Sequence, residues 1–320
     1  MEKTISIPQC NPKASYLKYK RDIDSAITRV LDNGNYILGP EVEAFEAEFA
    51  SFTGAQYAAG VANGTDAIEL ALLAAGVGPG DYVATVSHTA VATLSAIRRM
   101  GASPLFVDID PDFFTMSLDS LAEVMALKNI RAIIVVHIYG QMAEIHQILS
   151  LAQKENIIVI EDCAQAHGAK IGSQMAGSIG DIGCFSFYPT KNLGALGDGG
   201  ALVTSNASYA KKIKSLRQYG WEERYISSIQ GINSRLDEMQ AAILRVKLPH
   251  LEHDNQNRNN IANIYSKNLV NHDLIKVPVI RENSFHVYHQ YVVLSSKRNL
   301  IMEEMKKENI TFGLHYPKPV

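Results

Sequence analysis

The sequence predicts an α/β fold in which a large, mostly parallel mixed sheet is covered by helices and followed by a smaller C-terminal α/β domain. Three observations predict it. Short apolar runs recur along the chain, the stretches between the first five carry helical spacing at lengths suited to right-handed crossovers, and beyond residue 206 the pattern turns helical.

The first element, "DIDSAITRVLDNGNYILGPEVEAFEAEFASFTG" (22–54), is amphipathic, and we expect it to lie beside the small domain or across a dimer interface. The runs "YAAGVA" (57–62), "DYVATV" (81–86), "PLFVDI" (104–109), "RAIIVVHI" (131–138), "NIIVIED" (156–162), "GCFSFY" (183–188) and "GALVTS" (200–205) read as buried strands. "TDAIELALLAA" and "AVATLSAIRRM" are crossover helices. The last two strands are joined with no room for a helix, so they should pair antiparallel inside the sheet. A helix over "ASYAKKIKSLRQYG" ends at Gly220, and a long helical run extends from about Arg235 to Leu269. The expected division is residues 1–245 for the N-terminal segment and large domain, and 246–320 for the small one.

Composition narrows the function classes. The 320 residues are 47% hydrophobic and 20% charged, enough for one large core and a lesser one. A net charge of −3, with 30 Lys and Arg scattered, gives no nucleic-acid stripe. Cys10, Cys163 and Cys184 lack metal-ligand spacing and read as buried thiols in a reducing compartment, with no metal. The first 20 residues lack a signal-peptide core and no segment has the length of an apolar membrane span, so the expected location is cytoplasmic.

Asp162 closes a strongly apolar strand, where open α/β sheets bind their ligands; the ordinary alternative is a helix cap or loop acid. Lys191 follows the next strand and could reach the same crevice. A loop lysine is usually solvated, but a desolvated one has a lowered pKa and a free amine able to form a Schiff base. Glycines 194, 197, 199 and 200 would let the backbone turn around it, without forming a dinucleotide fingerprint. In "VANGTDAIELAL" the amides near Gly64, Thr65 and Asp66 open a helix suited to a phosphate, or are simply capped by Asn63 or Thr65. Ser186 could offer its hydroxyl to the same anion, or satisfy a backbone group. An amine, a carboxylate and an anion cradle after separate strands are what pyridoxal 5'-phosphate requires.

The chain resembles the DegT (DegT/DnrJ/StrS) nucleotide-sugar aminotransferases, of aspartate-aminotransferase-like fold (fold type I). The resemblance is carried by "NYILGPEVEAFEAEFASFTGA", "NGTDAIELAL", "EDCAQAHGA", "FSFYPTKNLGALGDGGALVT", "GINSRLDEMQAAILRVKL" and "GLHYPKP". It implies that Lys191 holds the cofactor aldehyde and shuttles a proton, and that Asp162 pairs with the ring nitrogen. It further implies that Gln165 lies near the ring or its phenolic oxygen, and that Gly64, Thr65 and Ser186 bind phosphate. Asn233 matches a position that reaches the phosphate from a neighbouring subunit, which implies a homodimer with shared sites; taken alone, Asn233 reads as a residue at a helix start. His315 and Tyr316 become candidate substrate contacts, although each could be a surface loop residue.

Two departures accompany the resemblance. Ala90 stands where many relatives carry a ring-stacking aromatic, and His88 is expected to cover the ring instead, or to be a backbone-satisfied histidine at a helix start. Relatives usually continue past "HYPKP" for a few dozen residues, so the chain is expected to be either a naturally short form or a truncated one, and in the truncated case apolar faces such as "HQYVVLS" would be poorly covered. The resemblance implies amino transfer from L-glutamate to a keto group of a nucleotide-linked deoxysugar, for polysaccharide or glycoconjugate synthesis. Ser234 and Arg235 after Asn233 favour the 3-position over relatives that read "NYR" and act at the 4-position. Lys191 weighs against sugar dehydratases, which carry histidine there; a cofactor-binding regulator and a dinucleotide oxidoreductase are the remaining alternatives.

Overall fold

The structure is a computed structural model and describes residues 6–320. Helices α1 (Pro12–Lys18), α2 (Lys20–Asn33) and α3 (Pro40–Thr53) precede β1 (Tyr57–Val61). There follow α4 (Gly64–Ala74), β2 (Tyr82–Val86), α5 (Val91–Arg99), β3 (Ser103–Val107), α6 (Leu118–Leu127), β4 (Ile130–Val136), α7 (Ile145–Lys154) and β5 (Ile158–Asp162). A short hairpin, β6 (Lys170–Ile171) and β7 (Gln174–Met175), leads to β8 (Ile182–Ser186) and β9 (Gly200–Thr204). The chain ends with α8 (Ala207–Leu216), β10 (Trp221–Glu223), β11 (Ile226–Ser227), α9 (Glu238–Lys247), α10 (Leu251–Leu269), β12 (Ser284–Phe285) and α11 (Arg298–Lys307).

Every expected core strand is present, in a seven-stranded sheet of order β1-β9-β8-β5-β4-β2-β3. β9 runs antiparallel to both its neighbours, while the pairs β8/β5, β5/β4, β4/β2 and β2/β3 are parallel. The carboxyl ends of β1, β2, β4, β5 and β8 therefore open along one edge, and the turns that leave them carry most of the candidate residues.

Side chains alternate across the sheet, so its two faces have separate cores. One face, with Ile133, Val135 and Val203, is covered by α3, α6, α7 and α9 through Phe45, Phe49, Leu121, Ile148 and Leu244. The other, with Ile134, Ile160 and Leu202, is covered by α4, α5 and α8 through Ile68, Leu72, Ile97 and Ile213. In β8 the alternation decides function as well as packing. Phe185 and Phe187 turn toward α3, where Phe49 meets them edge-on at 5.0 and 5.4 Å, and Ser186 is left on the opposite side, against the start of α4.

The amphipathic start differs from expectation. Phe45 and Phe49 make α3 part of the large core, and α2 lies against α9. The long helical run breaks at Pro249 into α9, a 3-10 turn (Leu248–His250) and α10. The division expected at 245/246 thus falls inside α9, and Leu248, which follows it in the 3-10 turn, still belongs to the large core; we propose the two-domain division. Toward the chain end, β12 adds to the β6/β7 hairpin, Lys276 and Leu294 form an isolated bridge, and within "HQYVVLS" Val292 is partly buried while Leu294 is 43% exposed. Cys163 and Cys184 are buried as expected, whereas Cys10 is exposed. No helix among the described residues is long and apolar enough to cross a membrane.

Candidate active site

Asp162 is the last residue of β5 and is buried. Its carboxylate accepts from Thr93 Oγ1 at 2.8 Å and, less closely, from the Ala164 amide at 3.2 Å. Thr93 spends its only proton on this carboxylate, so the Thr89 hydroxyl, 2.9 Å away, must donate to Thr93. Two buried threonines on successive turns of one segment thereby aim Asp162. A helix-cap role is excluded, because the carboxylate receives the amide two residues on in a non-helical turn.

Lys191 lies in the β8–β9 loop and is half-buried. Burial lowers its amine pKa, and the Asp162 carboxylate opposes that shift. The solvated-loop alternative does not hold here, and the interaction joins Lys191 and Asp162 in one crevice. The loop is pinned at several points: the Lys247 ammonium donates to the Gly194 carbonyl at 2.6 Å, Gln240 accepts from the Leu196 amide, and Asn192 bonds Asn255 and the Val287 carbonyl. The loop glycines work by absence of a side chain rather than by left-handed backbone. A Cβ at Gly194 would lie 2.5 Å from the Pro189 carbonyl oxygen, and one at Gly200 would lie 2.5 Å from that of Asn63.

Asn63 caps α4, accepting from the Asp66 amide at 2.9 Å, while Thr65 lies within the first turn and is not the cap. The amides of Gly64 and Thr65 have no partner inside the helix by virtue of their position. Gly64 makes a cradle possible, since a Cβ there would lie 2.7 Å from Ser186 Cβ. Without a Cβ at Gly64, β8 packs close against the helix start and brings the Ser186 hydroxyl beside two first-turn amides that lack helical partners, a donor set that fits a phosphate group.

Gln165 is buried and bridges two elements, accepting from the Tyr139 amide at 2.7 Å and donating to the Tyr316 hydroxyl at 3.0 Å. His88 Nε2 is 2.7 Å from the Tyr139 hydroxyl, which donates to the His315 carbonyl. The tyrosine proton is thus committed, so His88 must donate through Nε2–H, as a neutral ring whose pKa burial lowers. Its partner is a side chain, three residues ahead of α5, and not the backbone of a helix start. Tyr316 lies edge-on to His88 with centroids 6.2 Å apart, and His315 has its pKa lowered by burial and by Lys191. His88, Gln165, His315 and Tyr316 therefore converge on the crevice that holds Lys191 and Asp162.

Asn233 stands apart. It is exposed, bridges Gln218, and lies ahead of α9, whose N-cap is Asp237. Several residues escaped the sequence reading. Tyr139, at φ 61°, and Thr93 organise the site from positions whose sequence context is unremarkable for a turn and an apolar helix. His167 is fully buried between Phe185 and Phe187, with its pKa lowered to about 3 by burial and then by Lys191. His289 is half-buried, and desolvation followed by the nearby Lys191 charge holds its pKa well below the ordinary value. The spacing of polar residues along the chain gave no signal for either.

Comparison with known proteins bears on this arrangement. Residues 18–320 match the model of the DegT/DnrJ/EryC1/StrS aminotransferase family. The chain is 42% identical, over 100% of its length and 86% of the relative's, to the UDP-N-acetyl-3-dehydro-alpha-D-glucosamine 3-aminotransferase of Acidithiobacillus ferrooxidans. Among solved structures it is similar to S. venezuelae DesV in complex with a ketimine intermediate, at TM-score 0.96 and 39% identity, covering 99% of this chain and 85% of that one. It is also similar to NtdA from Bacillus subtilis with bound cofactor PMP, at TM-score 0.87 and 30% identity, covering 94% and 70%. The crevice residues fit the phosphorylated pyridoxal cofactor, and the chain belongs to the DegT/DnrJ/EryC1/StrS aminotransferase family.

Proposed function

We propose that the protein transfers an amino group from L-glutamate to the 3-keto carbon of a nucleotide-linked deoxysugar, as a homodimer in the cytoplasm, producing an amino sugar for polysaccharide or glycoconjugate synthesis. The observation that carries the reading is a desolvated amine, Lys191, within electrostatic reach of the buried Asp162 carboxylate, with the Gly64–Ser186 helix start nearby. The 3-position is supported by the activity of the A. ferrooxidans relative and by the Asn233-Ser234-Arg235 stretch.

In this mechanism the amides of Gly64 and Thr65 and the Ser186 hydroxyl hold the cofactor phosphate. Bound there, pyridoxal phosphate supplies an aldehyde for Lys191 and an electron sink for the pair released at the amino-bearing carbon. Asp162, aimed by Thr93, keeps a proton on the ring nitrogen. The Lys191 amine, neutral at a lower pH than an exposed lysine, takes the proton from the donor carbon and later delivers one to the sugar carbon. Gln165 holds the Tyr139 turn and Tyr316 at the crevice, where His88 would cover a bound ring and His315 and Tyr316 would contact the substrate. Asn233 extends from one subunit toward the phosphate of the other, a role that its exposure in the single chain permits.

The test is a visible absorption spectrum of the protein loaded with pyridoxal phosphate, taken before and after L-glutamate, followed by a panel of 3-keto and 4-keto nucleotide sugars. Conversion of the band by glutamate, then turnover of a 3-keto sugar, is the expected result. A band that glutamate leaves unchanged sinks the donor assignment, and turnover restricted to 4-keto sugars sinks the regiochemistry.

A further inference from the structure

Ser234 is fully buried, and its hydroxyl is used twice. It accepts from the Ala62 amide at 3.0 Å and donates to Asp66 Oδ2 at 2.8 Å. Ala62 and Asp66 bracket Asn63, Gly64 and Thr65, the turn that forms the cradle. One hydroxyl from a distant loop thus ties the end of β1 to the first turn of α4.

Asp66 makes this tie consequential. A carboxylate in a first turn suits the helix dipole, but the same position places a negative charge beside amides that face Ser186 and suit a phosphate. Both oxygens of Asp66 have partners outside the turn: Oδ2 meets Ser234, and Oδ1 lies 3.6 Å from Arg99, which also pairs with Glu69 at 3.0 Å. We propose that Ser234 is a positioning residue for cofactor phosphate, fixing the Asp66 carboxylate toward Arg99 and off the cradle. The inference rests on the cofactor reading above and names what sets the strength of its anion site. Ser234 itself needs no contact with the cofactor.

The experiment compares two ligands that differ only in the anion. Full-length protein freed of cofactor is titrated with pyridoxal phosphate and separately with pyridoxal, and thermal unfolding of the unliganded protein is recorded alongside. S234A is expected to bind pyridoxal phosphate about tenfold more weakly, the scale of a lost hydrogen bond to a charged group, with pyridoxal affinity unchanged. In the D66N background the same S234A change should have almost no effect on either ligand. R99M alters a half-exposed side chain that leaves the core intact, and should weaken pyridoxal phosphate alone by a few fold. A loss shared equally by pyridoxal, a loss that persists in D66N, or an R99M protein that binds both ligands as the wild type does would each overturn the inference. Wild-type protein that took up neither ligand would overturn the Lys191 assignment and this inference with it; equal binding by wild type and S234A overturns this inference alone.

Discussion

Glu161 and Asp162 are neighbours at the end of β5, both buried, and they face opposite sides of the sheet. Glu161 is saturated: it meets His137 Nε2 at 2.8 Å and accepts from the amides of Gly177, Ile179 and Gly180 at 2.9, 2.8 and 2.6 Å. His137 Nδ1 accepts from the Ala143 amide, so its proton is on Nε2 and is donated to the carboxylate. These donors hold the Glu161 carboxyl below the usual range against the opposing effect of burial. Cys163 lies close to this pair, but a carboxylate with four donors has no lone pair to spare for a metal. Among the described residues Asp162 has only Thr93 and the Ala164 amide. The saturated acid fastens the 177–180 turn to the sheet, and the undersaturated one keeps capacity for a ligand. Burial is common to both, so unmet hydrogen-bonding capacity is what separates the functional carboxylate from the structural one.

The comparison is broken or sharpened first by removing the amine that Asp162 serves. K191A should reduce amino transfer on the order of 10^4-fold or more, measured by single-turnover conversion with glutamate, with the fold retained. Next, D162N and E161Q should part company. D162N is expected to lower the half-reaction rate on the order of a hundredfold or more, with unfolding little changed. E161Q puts an amide NH2 among groups that already donate and should cost about 3 kcal/mol of stability in denaturant unfolding, while cofactor-site spectra in the surviving folded protein stay normal. If D162N unfolded and E161Q lost only rate, the assignment of the two faces would be reversed.

Acid sharpens the same contrast. Because the Glu161 pKa is lower folded than unfolded, its contribution is present above the unfolded carboxylate pKa and lost as pH falls through the folded value. E161Q should flatten that acid limb of the stability profile. Lys191 works in the other direction. Its folded pKa is lowered, so the unfolded chain binds more protons between the two values, and stability rises with pH across that window. K191M should therefore raise the melting temperature of cofactor-free protein at neutral pH by about 2 °C, and the gain should shrink as pH rises toward the ordinary lysine value. A K191M protein that melted lower at neutral pH would show that the amine is not under desolvation stress.

The strands, the antiparallel β9 and the placement of Asp162 and Lys191 at one sheet edge were legible because strand alternation and strand ends leave a local mark. "FSFY" even reveals that Ser186 faces away from Phe185 and Phe187. The extent of α3 in the large core was not legible, since an amphipathic helix declares an apolar face without declaring its partner. Thr93 and Tyr139 were missed, and Ser234 was read only as a mark of regiochemistry, for the same reason at the level of single bonds. Each acts on a residue far away in the chain: Thr93 on Asp162, Tyr139 on His88, Ser234 on Asp66. Glu161 looked like part of a motif shared with Asp162, and only the identity of its donors, from residues 177 to 180, separates the two.

His88 gives the smallest and most discriminating test. In the chain His88 Nε2–H to Tyr139 hydroxyl to His315 carbonyl, the imidazole fixes a tyrosine that in turn orients the segment holding His315 and Tyr316. The same ring is proposed to cover the cofactor where Ala90 offers no aromatic. H88A removes both contributions and H88F only the hydrogen bond, so their difference isolates the covering face. Ring covering predicts a loss of cofactor affinity of about threefold to tenfold in H88A, with most of it restored in H88F, because an offset aromatic contact contributes about 1 kcal/mol. If the hydrogen-bonded chain alone matters, both variants keep cofactor affinity and both raise the KM for sugar, since the disturbed segment is the one that carries His315 and Tyr316. H88A with unchanged cofactor affinity and an unchanged glutamate half-reaction would leave His88 no part on the cofactor side of the crevice, and its role would then be confined to the segment that Tyr139 holds in place.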